Sequence, residues 1–248
     1  MSAASDEGLL TPALSKAWGL EAANARGPKP ALSADRVIQA AISVAAAEGV
    51  DAVSMKRVAT ELGTGPMSLY RHIASKDDLL NLMVDTACGP PEANLPSVDD
   101  TWRTGITRWA WTLRQRYQEN LWAMSVPVTG APVAPNSVRW MEAGLQCLAK
   151  SSLSESEQVS GILLISSFIR SETTLTAQLG AAMQQAGTAD VLAGYADTLR
   201  RVTTPTDFPA LTRVLAAGVF DANDDEPDFD FRFGLERILD GIETLTRD

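Results

Sequence analysis

With one histidine and two cysteines in 248 residues, the chain rules out several chemistries at once. Cys88 and Cys147 form no C-x-x-C pair, so no disulfide framework is expected and a reducing cytoplasm is the default setting. His72 is the only imidazole, no His/Cys cluster has metal-ligand spacing, and neither a metal nor another cofactor is expected. No glycine-rich phosphate loop follows a strand and no G-x-S-x-G elbow occurs, so the chain does not read as an enzyme. Alternating β-branched runs with hairpin turns are missing, and no repeat recurs at a fixed period. No apolar run approaches the roughly 20 residues of a membrane span, so no membrane partner is expected. The first 25 residues lack the basic start and apolar centre of a signal peptide.

Charge is also unevenly missing. The net charge is −10, which argues against a surface that coats nucleic acid throughout. Residues 26–91 carry seven Lys/Arg and seven Asp/Glu, whereas residues 92–248 carry thirteen and twenty-one. The neutral part is the one stretch where a local basic face can meet phosphates while the acidic remainder stays clear.

What is present is helical periodicity almost from end to end, and the fold expected is all-α. Residues 1–32 read as a flexible tail broken by Pro12, Pro28 and Pro30, with Leu10, Leu14 and Trp18 able to form a short amphipathic turn. Within it, Arg26-Gly-Pro-Lys29-Pro is either an arm that reaches DNA or a plain linker. Ser33 caps a helix that ends at Gly49. Ser54 starts a second, in which Val58, Ala59 and Leu62 share a face. Gly63 turns the chain, and Pro66 presets the start of a third helix through His72. Two short helices across a glycine turn form a helix-turn-helix pattern, whose second helix can fit a DNA major groove; a solvated helical hairpin is the alternative. The polar and exposed residues around it are Ser54, Lys56, Arg57, Thr64, Pro66, Met67, Ser68, Tyr70, Arg71, His72 and Lys76. Ser75 opens a connecting helix that stops before Gly89-Pro-Pro, which marks a boundary between a domain at 33–90 and one at 91–248. Beyond it, helices are expected over 101–120, 136–150, 154–185, 192–202, 208–220 and 231–245, with loops at 126–135 and 221–230.

Ala41–Gly49, Ser54-Met-Lys-Arg-Val-Ala-x-Glu-Leu-Gly63, Leu69-Tyr-Arg-His-Ile73 and Ser75-Lys-Asp-x-Leu-Leu80 together resemble the head of the tetracycline-repressor (TetR) family of bacterial regulators. Phe208-Pro-Ala-Leu211 and Phe233-Gly-Leu-x-Arg-x-Leu-x-Gly241 are similar to the body of its tetracycline-repressor branch. The resemblance implies an N-terminal three-helix DNA-binding domain on a larger C-terminal helical bundle. It also implies a homodimer on a partly palindromic double-stranded operator, and a small-molecule effector that releases it. Lys56, Pro66, Met67, Ser68, Tyr70 and Lys76 match the family's DNA-contacting positions; Tyr70 can instead be core, and His72 can support the turn. The last helix and helix 154–185 are expected at the dimer interface. The body has no histidine, so a magnesium–tetracycline chelate is not the expected ligand. An apolar effector pocket is expected from Trp102, Trp109, Met124, Asn136, Trp140, Met141, Phe168 and Glu172, although aromatics at helical spacing also serve as plain core. The other reading is a DNA-binding regulator without a small-molecule effector, governed by a protein partner or constitutive.

Overall fold

The computed structural model describes residues 10–20, 32–186, 188–220 and 228–246, and the side chains among them except those of 182–193. Arg26, Lys29 and most of the acidic stretch 221–230 lie outside the described residues. The elements described are helical, with no strand among them.

In the head, α2 (Ala34–Glu48), α3 (Met55–Glu61), α4 (Pro66–Leu69) and α5 (Lys76–Cys88) follow one another closely. Each start is made by a local device. Ser33, Ser54 and Ser75 use their hydroxyls to accept the N–H three residues on, at 3.3, 3.1 and 3.0 Å. Pro66 occupies the first turn of α4. Gly63 adopts φ +64° between α3 and α4, where a Cβ would be strained. Val37, Ala41, Val58, Leu69, Ile73, Leu79 and Met83 are buried beneath these helices as the head's core. Each fully buried large side chain contributes about 1.5–3 kcal/mol. The second helix of the helix-turn-helix pattern is shorter than expected: α4 ends at Leu69, and Tyr70–His72 continue as turns.

The body is built from α6 (Trp102–Glu119), α7 (Pro135–Leu148), α8 (Glu155–Ala186) and α11 (Phe229–Leu245), with α9 (Thr188–Val202) and α10 (Pro209–Ala216) between the last two. Ile106, Trp109, Leu148, Ile165, Ile169, Phe231, Leu235 and Leu239 are its buried centre. The capping box expected at Ser154 is formed, with Glu157 returning to Ser154 N at 2.8 Å. Gly234 lets α11 approach α8 closely: a Cβ built there would run into the Phe168 ring.

Two findings add to the expected organisation. Within the stretch read as a tail, residues 12–17 form a docked helix, α1 (Pro12–Ala17), whose Ala13 and Leu14 are buried. And the head is not packed separately from the body: Val126 and Ala134, from the loop between α6 and α7, belong to the head's own core cluster. Gly89-Pro-Pro marks a turn in the chain's course, while side-chain packing runs across it.

Candidate nucleic-acid interface and the joint behind it

On the head, α4 is amphipathic at right angles to the core. Leu69 is fully buried while Met67 is 75% exposed and Tyr70 47% exposed. Leaving a methionine and a tyrosine this bare costs apolar burial, which fits side chains held ready for a partner. Lys56, Pro66 and Arg71 are exposed and Ser68 and Thr64 half-buried on the same two-helix unit and its flanking turn, and Lys76 is exposed beyond it. Lys76 is the first residue of α5, where free N–H groups and the helix dipole also favour phosphate.

Arg57 and Ser54 are engaged differently. The Arg57 guanidinium donates to Glu48 at 2.6 Å and to Glu61 at 2.8 Å, tying α3 to the end of α2. The Glu48 hydrogen bond, then that of Glu61, raises its pKa. Ser54 is spent on capping α3. His72 is half-buried, and burial lowers its pKa, helped by the charges of Lys16 on α1 and of Arg71. It sits at the packed end of the recognition turn.

Behind the interface, a buried carboxylate of α5 reaches the body. Asp85 is buried, and it accepts the Ser137 N–H at 2.7 Å, the Ser137 hydroxyl at 3.0 Å and the Asn136 N–H at 3.2 Å. Helix α7 has no side-chain cap of its own, so a residue on α5 caps it from across the joint. Asn136 closes the exchange by donating to the Asp85 carbonyl at 3.0 Å. Trp140 adds a second tie, its indole donating to the Gly89 carbonyl at 2.9 Å. A lone acid on the apolar stripe of α5, three residues after Leu82, was the sequence signal for this joint.

Beside it lies a cleft of about 420 Å³, lined by Thr11 and Leu14 of α1, Asp77, Asp78, Asn81 and Val84 of α5, the loop Val126–Ala134, Ser137 and Arg170. An adjoining cleft of about 310 Å³ shares Asp77, Asn81, Val126 and Pro127 with it. Arg170, on α8, steadies the loop by donating to the Met124 and Val126 carbonyls at 3.1 and 2.7 Å.

None of the eight residues expected to form a body pocket lines the 420 Å³ cleft. Trp109 is 1% exposed, edge-on to Trp140, with its indole on the Trp140 carbonyl. Phe168 stacks on Phe231. Met124 is buried, Trp102 and Met141 are half-buried, and Asn136 belongs to the joint. Glu172 grips Arg114 through both carboxylate oxygens at 2.9 Å, with Asp228 as the third member. Burial works to lower the Arg114 pKa, but these hydrogen bonds outweigh it and the pKa is raised. The helical spacing that put the aromatics on one face put them in the closed core.

A helix-turn-helix head with a bare recognition helix, joined through a capped hinge to a helical body, defines a DNA-binding transcriptional regulator. Residues 37–83 match the tetR family of bacterial regulatory proteins, and residues 95–246 match the tetracyclin repressor-like C-terminal domain. The chain belongs to the TetR family. It is 36% identical to the HTH-type transcriptional repressor DrrR1 of Streptomyces coeruleorubidus over 92% of this chain and 83% of that one. It is 26% identical to the class A tetracycline repressor protein of transposon 1721 from Escherichia coli, over 85% and 90%. Among solved structures, ActR of Streptomyces coelicolor in complex with actinorhodin shares 28% identity and a TM-score of 0.74, covering 89% of this chain and 99% of that one. Apo ActR shares 29% identity and a TM-score of 0.70, covering 86% and 96%. The chain is a repressor-type regulator and not an enzyme.

Proposed function

We propose that this protein works in the cytoplasm as a homodimeric repressor that places its two α4 segments in successive major grooves of a partly palindromic operator. It is released when a small organic effector enters the cleft behind α5. The observation that carries the DNA reading is the exposure of Met67 on α4 and of Tyr70 just after it, on either side of fully buried Leu69. Pro66 and Met67 suit thymine methyl groups, and Lys56 and Ser68 suit base edges or phosphates. Tyr70, Lys76 and Arg71 suit the backbone, with Thr64 at the edge of the turn. Ser54, Arg57 and His72 hold the unit in shape.

Dimerisation is supported by apolar side chains left bare on two helices. Leu163 and Leu175 of α8 and Phe233 and Leu245 of α11 are all exposed. Pairing such faces between two copies buries them.

The cleft supports the effector reading because its walls belong to different parts of the chain. α5 lies on one side and the loop 126–134 on the other, so an occupant bears directly on the helix that carries the head. Its volume lies in the range of small-molecule sites. Valines and prolines supply an apolar lining, and Arg170, Asn81 and Ser137 supply polar groups. The likeness to ActR, solved with actinorhodin, supports an organic ligand. Coupling requires the ligand to prefer one head arrangement over the other.

The test is fluorescence anisotropy with duplex from upstream of the protein's own gene, repeated with a panel of organic compounds. Saturable binding weakened by Met67→Ala with Tyr70→Ala is the expected result. Unchanged binding in that variant would sink the interface assignment. A compound that raises the melting temperature by mass action and releases DNA identifies the effector. Retention of that response after Asn81→Leu with Arg170→Met would move the effector out of the cleft.

A further inference from the structure

We infer that α1 is a clamp that fixes the angle of the DNA-binding head on the body, with Leu14 and Trp18 as its two positioning residues. Helix α1 precedes the helix-turn-helix unit and contributes nothing to its turn. It nevertheless touches both walls of the joint. Leu14 and Ala13 are buried in the core cluster that also holds Val37, Leu79 and Met83 of the head. One turn on, the Trp18 indole donates to the Val133 carbonyl of the body loop at 2.8 Å. Val133 packs on the same cluster, beside Ala134, which precedes the α7 terminus that Asp85 caps.

A six-residue helix does not hold in water by itself, because nucleation costs more than so few turns return. Thr11 caps α1, accepting the Leu14 N–H at 3.4 Å, and Pro12 presets its first turn. The rest of its order comes from docking on α5 and the loop. Its attachments are buried Leu14 and Ala13 in the head's core cluster and the Trp18 hydrogen bond on the body side. That is enough to narrow the range of head angles without welding the joint. Trp18 is still 36% exposed, so its ring adds little to the core and its N–H does the specific work. Across a dimer, head angle sets the distance between the two recognition helices; the spacing consequence therefore rests on the dimer reading.

The experiment uses the full chain and a duplex selected by it from random DNA, with companions carrying one base pair more or fewer at the centre. Trp18→Phe keeps a ring and deletes the N–H; Leu14→Ala removes the anchor. The intact protein is expected to prefer its selected spacing; Trp18→Phe should narrow that preference about fivefold, the worth of one hydrogen bond, and Leu14→Ala at least as far, through the buried contacts it removes. His72, the one histidine, provides a second readout through its NMR titration. Its midpoint should rise in both variants as Lys16 moves away. Spacing preference and His72 midpoint both unchanged in the two variants would overturn the clamp. So would a loss of affinity that is equal at all three spacings and tracks the melting temperature, since that is a merely structural effect. Complex stoichiometry is read separately: one chain per duplex would strike down the dimer reading and leave the clamp to be judged by His72.

Discussion

Head and body both leave large apolar side chains in the open, and their surroundings give that exposure opposite meanings. On the head, Met67 and Tyr70 stand among Lys56, Arg71 and Lys76 in a stretch with balanced charge. On the body, Leu163 and Leu175 stand on a helix within a stretch whose acids outnumber its bases by eight. An apolar side chain flanked by cations can enter a groove walled by phosphates. An acidic surface around the same side chain is repelled from phosphates and is better covered by another protein surface. The charge contrast therefore supports the proposal of DNA for the head's patch and a second copy for the body's.

The joint between the two regions offers the strongest way to break this division. Asp85→Ala strips the α7 terminus of its acceptor and leaves two backbone N–H groups and a hydroxyl to find water. The expected loss is about 2–4 kcal/mol in urea unfolding, with Asp85→Asn losing less because an acceptor remains. A single transition shifted to lower urea is expected, because the head's core includes Val126 and Ala134. A head that melts separately would show that the two regions are independent after all. Gly234→Ala is the body's counterpart. Its new Cβ meets the Phe168 ring, and overpacking should cost about 1–3 kcal/mol. If thermal unfolding were unchanged, α11 would not be seated on α8 as closely as described.

How far sequence reading carried differs between the same two regions. In the head, function and fold are set by neighbours in the chain. Ser33, Ser54, Ser75, Gly63 and Pro66 announce the elements, and the exposed and buried faces of α4 follow from four consecutive residues. In the body, element positions were equally visible: the stretch 154–185 is α8, Glu155–Ala186. The cleft behind α5 was not, because a cavity is what remains between segments far apart in sequence. Trp109 and Trp140 carry the same spacing signal whether they line a cavity or fill a core. Asp85 was passed over because its partners, Asn136 and Ser137, lie about fifty residues on. Residues 12–17 were read through their prolines as a tail, yet Pro12 sits at the first turn, where it favours a helix.

On the head side, Lys56→Ala with Lys76→Ala is expected to leave folding intact, since both side chains are exposed. It should flatten the slope of log affinity against log salt by about two units, one for each phosphate contact. An unchanged slope would mean that these lysines are ordinary surface and that the charge contrast between head and body does not bear on DNA.

The smallest effect expected is also the most local. His72 has its pKa lowered from the ordinary 6.5, first by burial and then by Lys16 and Arg71. For a base, a lowered folded pKa means that the unfolded chain takes up the proton more readily. Its contribution to stability is therefore present above the unfolded value and is lost as pH falls through the folded one. The window lies just below 6.5, and within it stability rises with pH. Lys16→Gln removes one of the two cations acting on the imidazole but not its burial. The midpoint should therefore rise by a fraction of a pH unit and stay below the unfolded value, the remaining offset belonging to burial and Arg71. Because the protein has a single histidine, its NMR titration reports this group alone. A midpoint that ignores Lys16→Gln would mean that the charge of Lys16 on α1 is not felt at His72, and that α1 does not bear on the turn after α4.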